Sequence, residues 1–193
     1  MDSLDYYWLT TDSTAKSVAY APKGLSRPWE LFPLIIETNH LPFRMIVHSV
    51  DIKEKLVVGP VTDQIVDYQP NSLSWPLMSQ TMKQIINTNL NGNEGIVWKS
   101  VILQGKTNEY EYYIPMFTKY LDTLDKAHTI FAPPSNIVIK PVFMKQIVNQ
   151  YAVFHGNSFD WKISSGIYVD SIIKKELESA HLKGLSFSKV KVL

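Results

Sequence analysis

The chain has no cysteine. That one absence excludes a disulfide framework, a thiolate zinc site and a cysteine nucleophile together, and it accords with a reducing compartment. Long apolar runs are missing too: nowhere does the sequence reach the roughly eighteen consecutive apolar residues that read as a membrane span. Arginine is nearly absent, with only Arg27 and Arg44 among nineteen basic residues. Guanidinium is the usual reader of base edges and phosphate forks, so nucleic acid is not expected as a partner. The eight glycines build neither GxGxxG nor GxxxxGK[ST], and GxSxG does not occur, which leaves nucleotide cradles and the nucleophile elbow unsupported. The opening MDSLDYYWLTTD carries three acids and no basic segment. It does not read as a secretory signal, so a cytoplasmic location is expected.

What is present describes a globular protein. Over 193 residues, 45% are hydrophobic and 19% charged, with five Trp, ten Tyr and eight Phe to fill a core; a chain this long buries about 70% of its unfolded surface without covalent staples. The net charge of +1 is unevenly spread: nine acids face six bases up to Trp75, and thirteen lysines face nine acids after it. A mildly basic half of this kind reads as a solvated face.

Proline punctuates the first seventy residues at 22, 28, 33, 42, 60 and 70, cutting the apolar pieces too short for long helices. YYWLTT, FRMIVHSV and KLVVG read as strands, so residues 1–70 are expected to form a β-rich N-terminal lobe. From Trp75 the texture changes, and residues 71–193 read as an α+β domain. In SQTMKQIINTNLNG, Ser79 caps a helix whose Met82, Ile85, Ile86 and Leu90 fall at helical spacing. Near the end GIYV is a strand, Asp170 the cap of the helix SIIKKELESAHLK, and Gly184 its stop. The expected class is α+β, with mixed and antiparallel sheets and a few short helices.

Two helix-Gly-strand units write the same phrase. GIVWKSVIL and GLSFSKVKVL each place apolar residues one, three, six and eight positions after the glycine. Residues one and three share a strand face while six and eight share the other, so the spacing predicts a bulge at Lys99-Ser100 and at Ser188-Lys189. It also predicts that Trp98 and Phe187 pack into a common core. Between the units, EYEYYIP reads as a strand on Tyr110, Tyr112 and Ile114, MFTKYLDTLDKA as helix or irregular, and KPVFMKQIVNQYAVF as ambiguous, with Pro141 acceptable as a first helical residue.

Chemistry-bearing motifs are few. His40, His48, His128, His155 and His181 occur singly, none at metal-binding spacing, so neither metal nor cofactor is expected. Glu109 and Glu111 share one face of a strand, either as an acid and base or as the solvent side opposite Tyr110 and Tyr112. Asp160 and Trp161 sit in the turn-rich FHGNSFDWK, where a Trp serves as an interface anchor or as core. These four, Trp161, Asp160, Glu109 and Glu111, are the candidate partner contacts.

Taken in order, PLMSQTMKQII, GIVWKSVILQ, EYEYYIPMF with LDTLDKAHTIF, AVF, and IYVDSIIKKELESAHLKGLSFSKVKV resemble the immunity-protein family of bacterial polymorphic toxin systems, of the eleven or forty-three type. The resemblance runs from about Tyr68 to the C-terminus. It departs from the family in opening the last helix with Asp170 where Ser is usual, an exchange between two good caps. The resemblance implies a non-enzymatic, cytoplasmic inhibitor that binds a cognate protein toxin, with no family residues to carry over because such interfaces diverge with their toxins. Two other classes stay open: a hydrolase with a site assembled in space, and a small-molecule or carbohydrate module, for which exposed Tyr110 and Tyr112 would be the sign.

Overall fold

A computed structural model describes residues 5–12, 15–25, 35, 37–51, 57–134, 137–158 and 160–193. The strands are β1 (Tyr6–Thr11), β2 (Ser17–Tyr20), β3 (His40–Asp51), β4 (Val57–Val61), β5 (Tyr68–Gln69), β6 (Leu77–Met78), β7 (Ile96–Gln104) and β8 (Glu109–Phe117). They continue as β9 (Ile130–Phe131), β10 (Val138–Lys140), β11 (Val142–Phe143), β12 (Val153–His155), β13 (Ile167–Asp170), β14 (Leu185–Lys189) and β15 (Lys191–Val192). Among the described residues the helices bounded at both ends are α1 (Gln80–Thr88), α2 (Lys145–Val148) and α3 (Ser171–Ser179), with one 3-10 turn at Trp161–Ile163. The molecule is therefore α+β with mixed sheets and short helices. Lys55 and Leu56 of the expected KLVVG strand lie outside the described residues; the rest of it is β4. The segment after β8 is irregular and is tied to β11 by a bridge from Leu124 to Phe143 and by the Asp125 N–H donating to the Val142 carbonyl at 2.8 Å. The ambiguous stretch resolves into β11, α2 and β12, so Pro141 precedes a strand and opens no helix.

Two sheets carry the fold. The larger runs β2-β3-β7-β8-β6-β5, with β4 beside the far half of β3; β3 pairs with β7 in parallel and the other ladders are antiparallel. The smaller runs β12-β13-β1-β14, antiparallel throughout. Both sheets draw strands from either side of residue 70, because β1 lies between β13 and β14 and β3 lies on β7.

Strand alternation then builds three cores. One face of the large sheet, with Met45, Val47, Val101, Leu103 and Ile114, packs under Trp75 and Ile163. A second core gathers Leu9, Ile167 and Val169 of the small sheet, Met82 and Ile86 of α1, and Ile173 and Leu177 of α3. The opposite face of the small sheet, through Tyr6, Phe154 and Tyr168, forms a third core with Phe143 and Val148. Strand β13 is buried along its whole length because it has a core on each side.

Both helices of the repeated units start as the sequence indicates. The Ser79 hydroxyl accepts from the Met82 N–H at 3.3 Å, and the Asp170 carboxylate accepts from the Ile172 and Ile173 N–H groups at 3.0 and 2.8 Å. Gly184 follows the second at φ +83, where a side chain would meet the Tyr68 carbonyl 2.8 Å from its Cβ. A left-handed backbone in so little space requires glycine.

No bulge falls within β7 at Lys99-Ser100 or within β14 at Ser188-Lys189, although the β3–β7 ladder shifts register beside Ser100, with the extra residues on β3 between His40 and Arg44. Strand β7 pairs with β8 in unbroken register from Ile96–Phe117 to Gln104–Glu109. Its apolar residues change face because the cores change sides: Ile96 and Trp98 lean on the second core, Val101 and Leu103 on the first. Strand β14 is equally regular against β1. It ends at Lys189, the Val190 N–H donates to the Tyr6 carbonyl at 3.0 Å, and β15 then pairs in parallel with β11. Trp98 and Phe187 do share a core, the second one.

Candidate functional site

Side chains that carry chemistry are dispersed. Among the described residues no three His, Asp or Glu side chains are placed to hold a metal ion. His128 pairs with Asp125 at 2.8 Å on the surface, and that contact, with the backbone N–H groups of Ala127 and His128, holds Asp125 below the usual carboxylate range. His48 approaches the Gly59 carbonyl at 3.0 Å. His40 bonds to Ser100, but no described carboxylate orients the ring from its other nitrogen as a Ser-His-Asp arrangement requires. His155 is fully buried. Its Nδ1 lies 2.8 Å from the Gly156 carbonyl, and its Nε2 lies 3.1 Å from the Lys119 carbonyl and 3.2 Å from the Leu121 N–H; burial pushes its pKa below the ordinary 6.5.

The four candidate contacts fall in two places. Trp161 and Asp160 lie on the connection between β12 and β13, where the 3-10 turn half-buries the Trp161 ring, 5.3 Å from the His155 ring and 5.7 Å from Tyr120. The turn is closed by the Ile163 N–H donating to the Asp160 carbonyl at 3.1 Å. Glu109 and Glu111 stand on the solvent face at the start of β8, the first paired with Arg44 and the second accepting from the Tyr113 hydroxyl at 2.8 Å. His155 meets Phe117 edge-to-face at the other end of the strand, about 26 Å along at 3.3 Å per residue. Tyr112 is buried and donates to the Val66 carbonyl at 2.6 Å, and Tyr110 packs against the first core. No exposed tyrosine platform for a sugar forms there.

A more prominent surface surrounds Trp8. The strand YYWLTT has four large side chains in succession, so alternation sends Tyr7 and Leu9 to the second core and Tyr6 and Trp8 to the other face of the small sheet. Tyr6 is buried and anchored, its hydroxyl donating to the Val148 carbonyl at 2.7 Å; burial and the nearby Asp170 and Glu94 charges push its pKa up to about 12. Trp8, two residues along, is 41% exposed. It forms a ridge between two depressions. The larger, of about 420 Å³, lies between the β9–β10 hairpin and the β12–β13 connection, with Ile137, Ile139 and Pro141 on one wall and Asn157 and Ser164 on the other. The smaller, of about 230 Å³, is lined by Thr10, Asn71 and Trp75. Asn71 fixes that loop by accepting the Leu73 and Trp75 N–H groups, both at 3.1 Å. Trp75 is buried, and its indole N–H has no acceptor among the described residues.

A dispersed set of titratable groups and a prominent apolar surface describe a molecule equipped for contact. A family model described as the immunity protein family, Imm11, matches residues 7–192. The chain belongs to the Imm11 immunity protein family. The Imm11 match begins at Tyr7, so the family covers the N-terminal third as well as the portion from Tyr68 in which the resemblance was legible. No curated protein matches this Imm11 chain. The same N-terminal third supplies Trp8, which sequence reading placed on a strand and passed over. The available signal was the run of four large residues in YYWLTT, which obliges one face of a strand to carry two of them wherever that face happens to lie.

Proposed function

We propose that this Imm11 chain neutralises a cognate bacterial toxin by binding it, in the cytoplasm of a cell carrying a polymorphic toxin system, without catalysis and without a cofactor. The observation that carries this reading is the family match over nearly the whole chain. Physical support comes from aromatic and aliphatic residues held outside the cores, Trp8, Ile137 and Ile139 among them. A stable complex of this kind buries about 800 Å² on each partner around a few aromatic anchors. In this reading Asp160 and Trp161 contribute from the β12–β13 connection, and Glu109 and Glu111 from the open sheet face.

The test is co-expression with the toxin domain encoded beside this chain. Growth restored by the chain, together with recovery of both proteins in one complex, is the expected result; unrelieved toxicity with no recovered complex contradicts the proposal. In the same assay Glu111→Lys reverses a charge on the sheet face, and loss of rescue by that variant is expected if the face is used.

A further inference from the structure

We propose that the toxin docks an uncharged segment of its own chain across Trp8, with an apolar side chain in the larger depression. This rests on the toxin-binding reading and adds where the contact is made and what chemistry it recognises.

Three observations carry it. Strand β1 is interior to its sheet, paired on both sides, yet Trp8 stays 41% exposed; an indole of that size left in water gains substantially from being covered. Ile137 and Ile139, on the wall facing it, are 68% and 62% exposed, so Trp8 is one part of an apolar surface. The two depressions share Trp8 and Ser165, and among the described residues that line them none is charged, although the chain carries nineteen basic and eighteen acidic residues. A nucleic acid or an anionic headgroup would meet no cation there, whereas a neutral stretch of protein meets no uncompensated charge.

The arrangement is that of a binding hot spot: a tryptophan at the centre, apolar walls and a rim of hydroxyl and amide groups. Asp160 and Trp161 belong to the connection that forms one wall, which places two of the sequence-derived candidates beside the Trp8 contact and Glu109 and Glu111 away from it.

The experiment titrates the purified toxin domain encoded beside this chain with wild-type protein, Trp8→Ala, Ile139→Lys and, as a control on the outer face of α3, Ile172→Lys. Calorimetry gives affinity, and circular dichroism melts report folding. The expected result is a loss of about thirtyfold or more for Trp8→Ala and Ile139→Lys, with Ile172→Lys near wild type. Wild-type affinity in both groove variants overturns the docking face while leaving the toxin-binding function standing. A wild-type chain that fails to bind removes the toxin-binding reading, and the docking face with it. If Trp8→Ala does not fold, Ile139→Lys and Ser165→Lys decide in its place, since both positions are exposed; unchanged affinity in that pair overturns the docking face equally.

Discussion

His155 is the residue whose environment makes the sharpest demand. Its ring is fully buried between Phe117, Tyr120 and Trp161, and burial favours the neutral form strongly enough to lower the pKa despite carbonyls at both nitrogens. A histidine with a folded pKa below its unfolded 6.5 stabilises the fold fully above that value and progressively less as pH falls from 6.5 toward the folded pKa. Urea denaturation at pH 7.5 and pH 5 is therefore expected to show lower stability in acid, and His155→Gln is expected to flatten that dependence. An equal slope in both proteins contradicts the assignment. Asp170 has the opposite sign: burial, then the Glu94 and Glu176 charges, raises its pKa above the ordinary 3.8 although two N–H groups donate to it. Its carboxylate is costly at neutral pH and its cap is valuable. Asp170→Asn keeps an equivalent cap and is expected to fall within about 0.5 kcal/mol of wild type, while Asp170→Ala loses the cap and about 1 kcal/mol, both read from denaturation midpoints.

Helices α1 and α3 were legible because capping and 3.6-residue periodicity are local: Ser79, Asp170 and the buried Met82, Ile86, Ile173 and Leu177 act within their own turns. Strands β1, β3, β7 and β8 were legible from aromatic and β-branched runs. The bulges were not, because face alternation says which residues lie together and nothing about which core covers each face at each point along a strand. One regular ladder serves two cores in β7, and in β14 the chain passes from one sheet to another at Val190. Gly184 links these units to the N-terminal region, since the Asp12 N–H donates to its carbonyl at 2.8 Å and Tyr68 lies against it. Gly184→Ala combines a disfavoured φ with a collision on the backbone, and a loss of roughly 1–3 kcal/mol is expected, with thermal melting as the check. An unchanged melting temperature would mean that the junction adjusts freely.

At the scale of the molecule, class and family could be read from the sequence, while the surface that matters could not. Trp161 stands out in the sequence as a Trp in a turn, and its ring lies against His155 and Tyr120; Trp8, which lines both depressions, is hidden in the sequence by an ordinary strand pattern. Its prominence comes from the β9–β10 hairpin and the β12–β13 connection, elements more than a hundred residues away that stand beside it without covering it. Leu9, next to Trp8 in sequence, is fully buried on the opposite face, and Leu9→Ala is expected to cost about 2–5 kcal/mol of stability; by contrast Trp8→Ala is expected to leave the melt nearly unchanged and to act on binding.

The central claim is neutralisation by contact alone, and the most direct measurement is a titration of the toxin's activity against increasing amounts of this purified chain. Tight binding predicts a linear fall that reaches zero near one equivalent and recovers when the complex is dissociated. Inactivation at a small fraction of an equivalent would mean that the chain turns over on the toxin or its product, and undiminished activity at several equivalents would mean that the chain does not neutralise this toxin; either result contradicts the account.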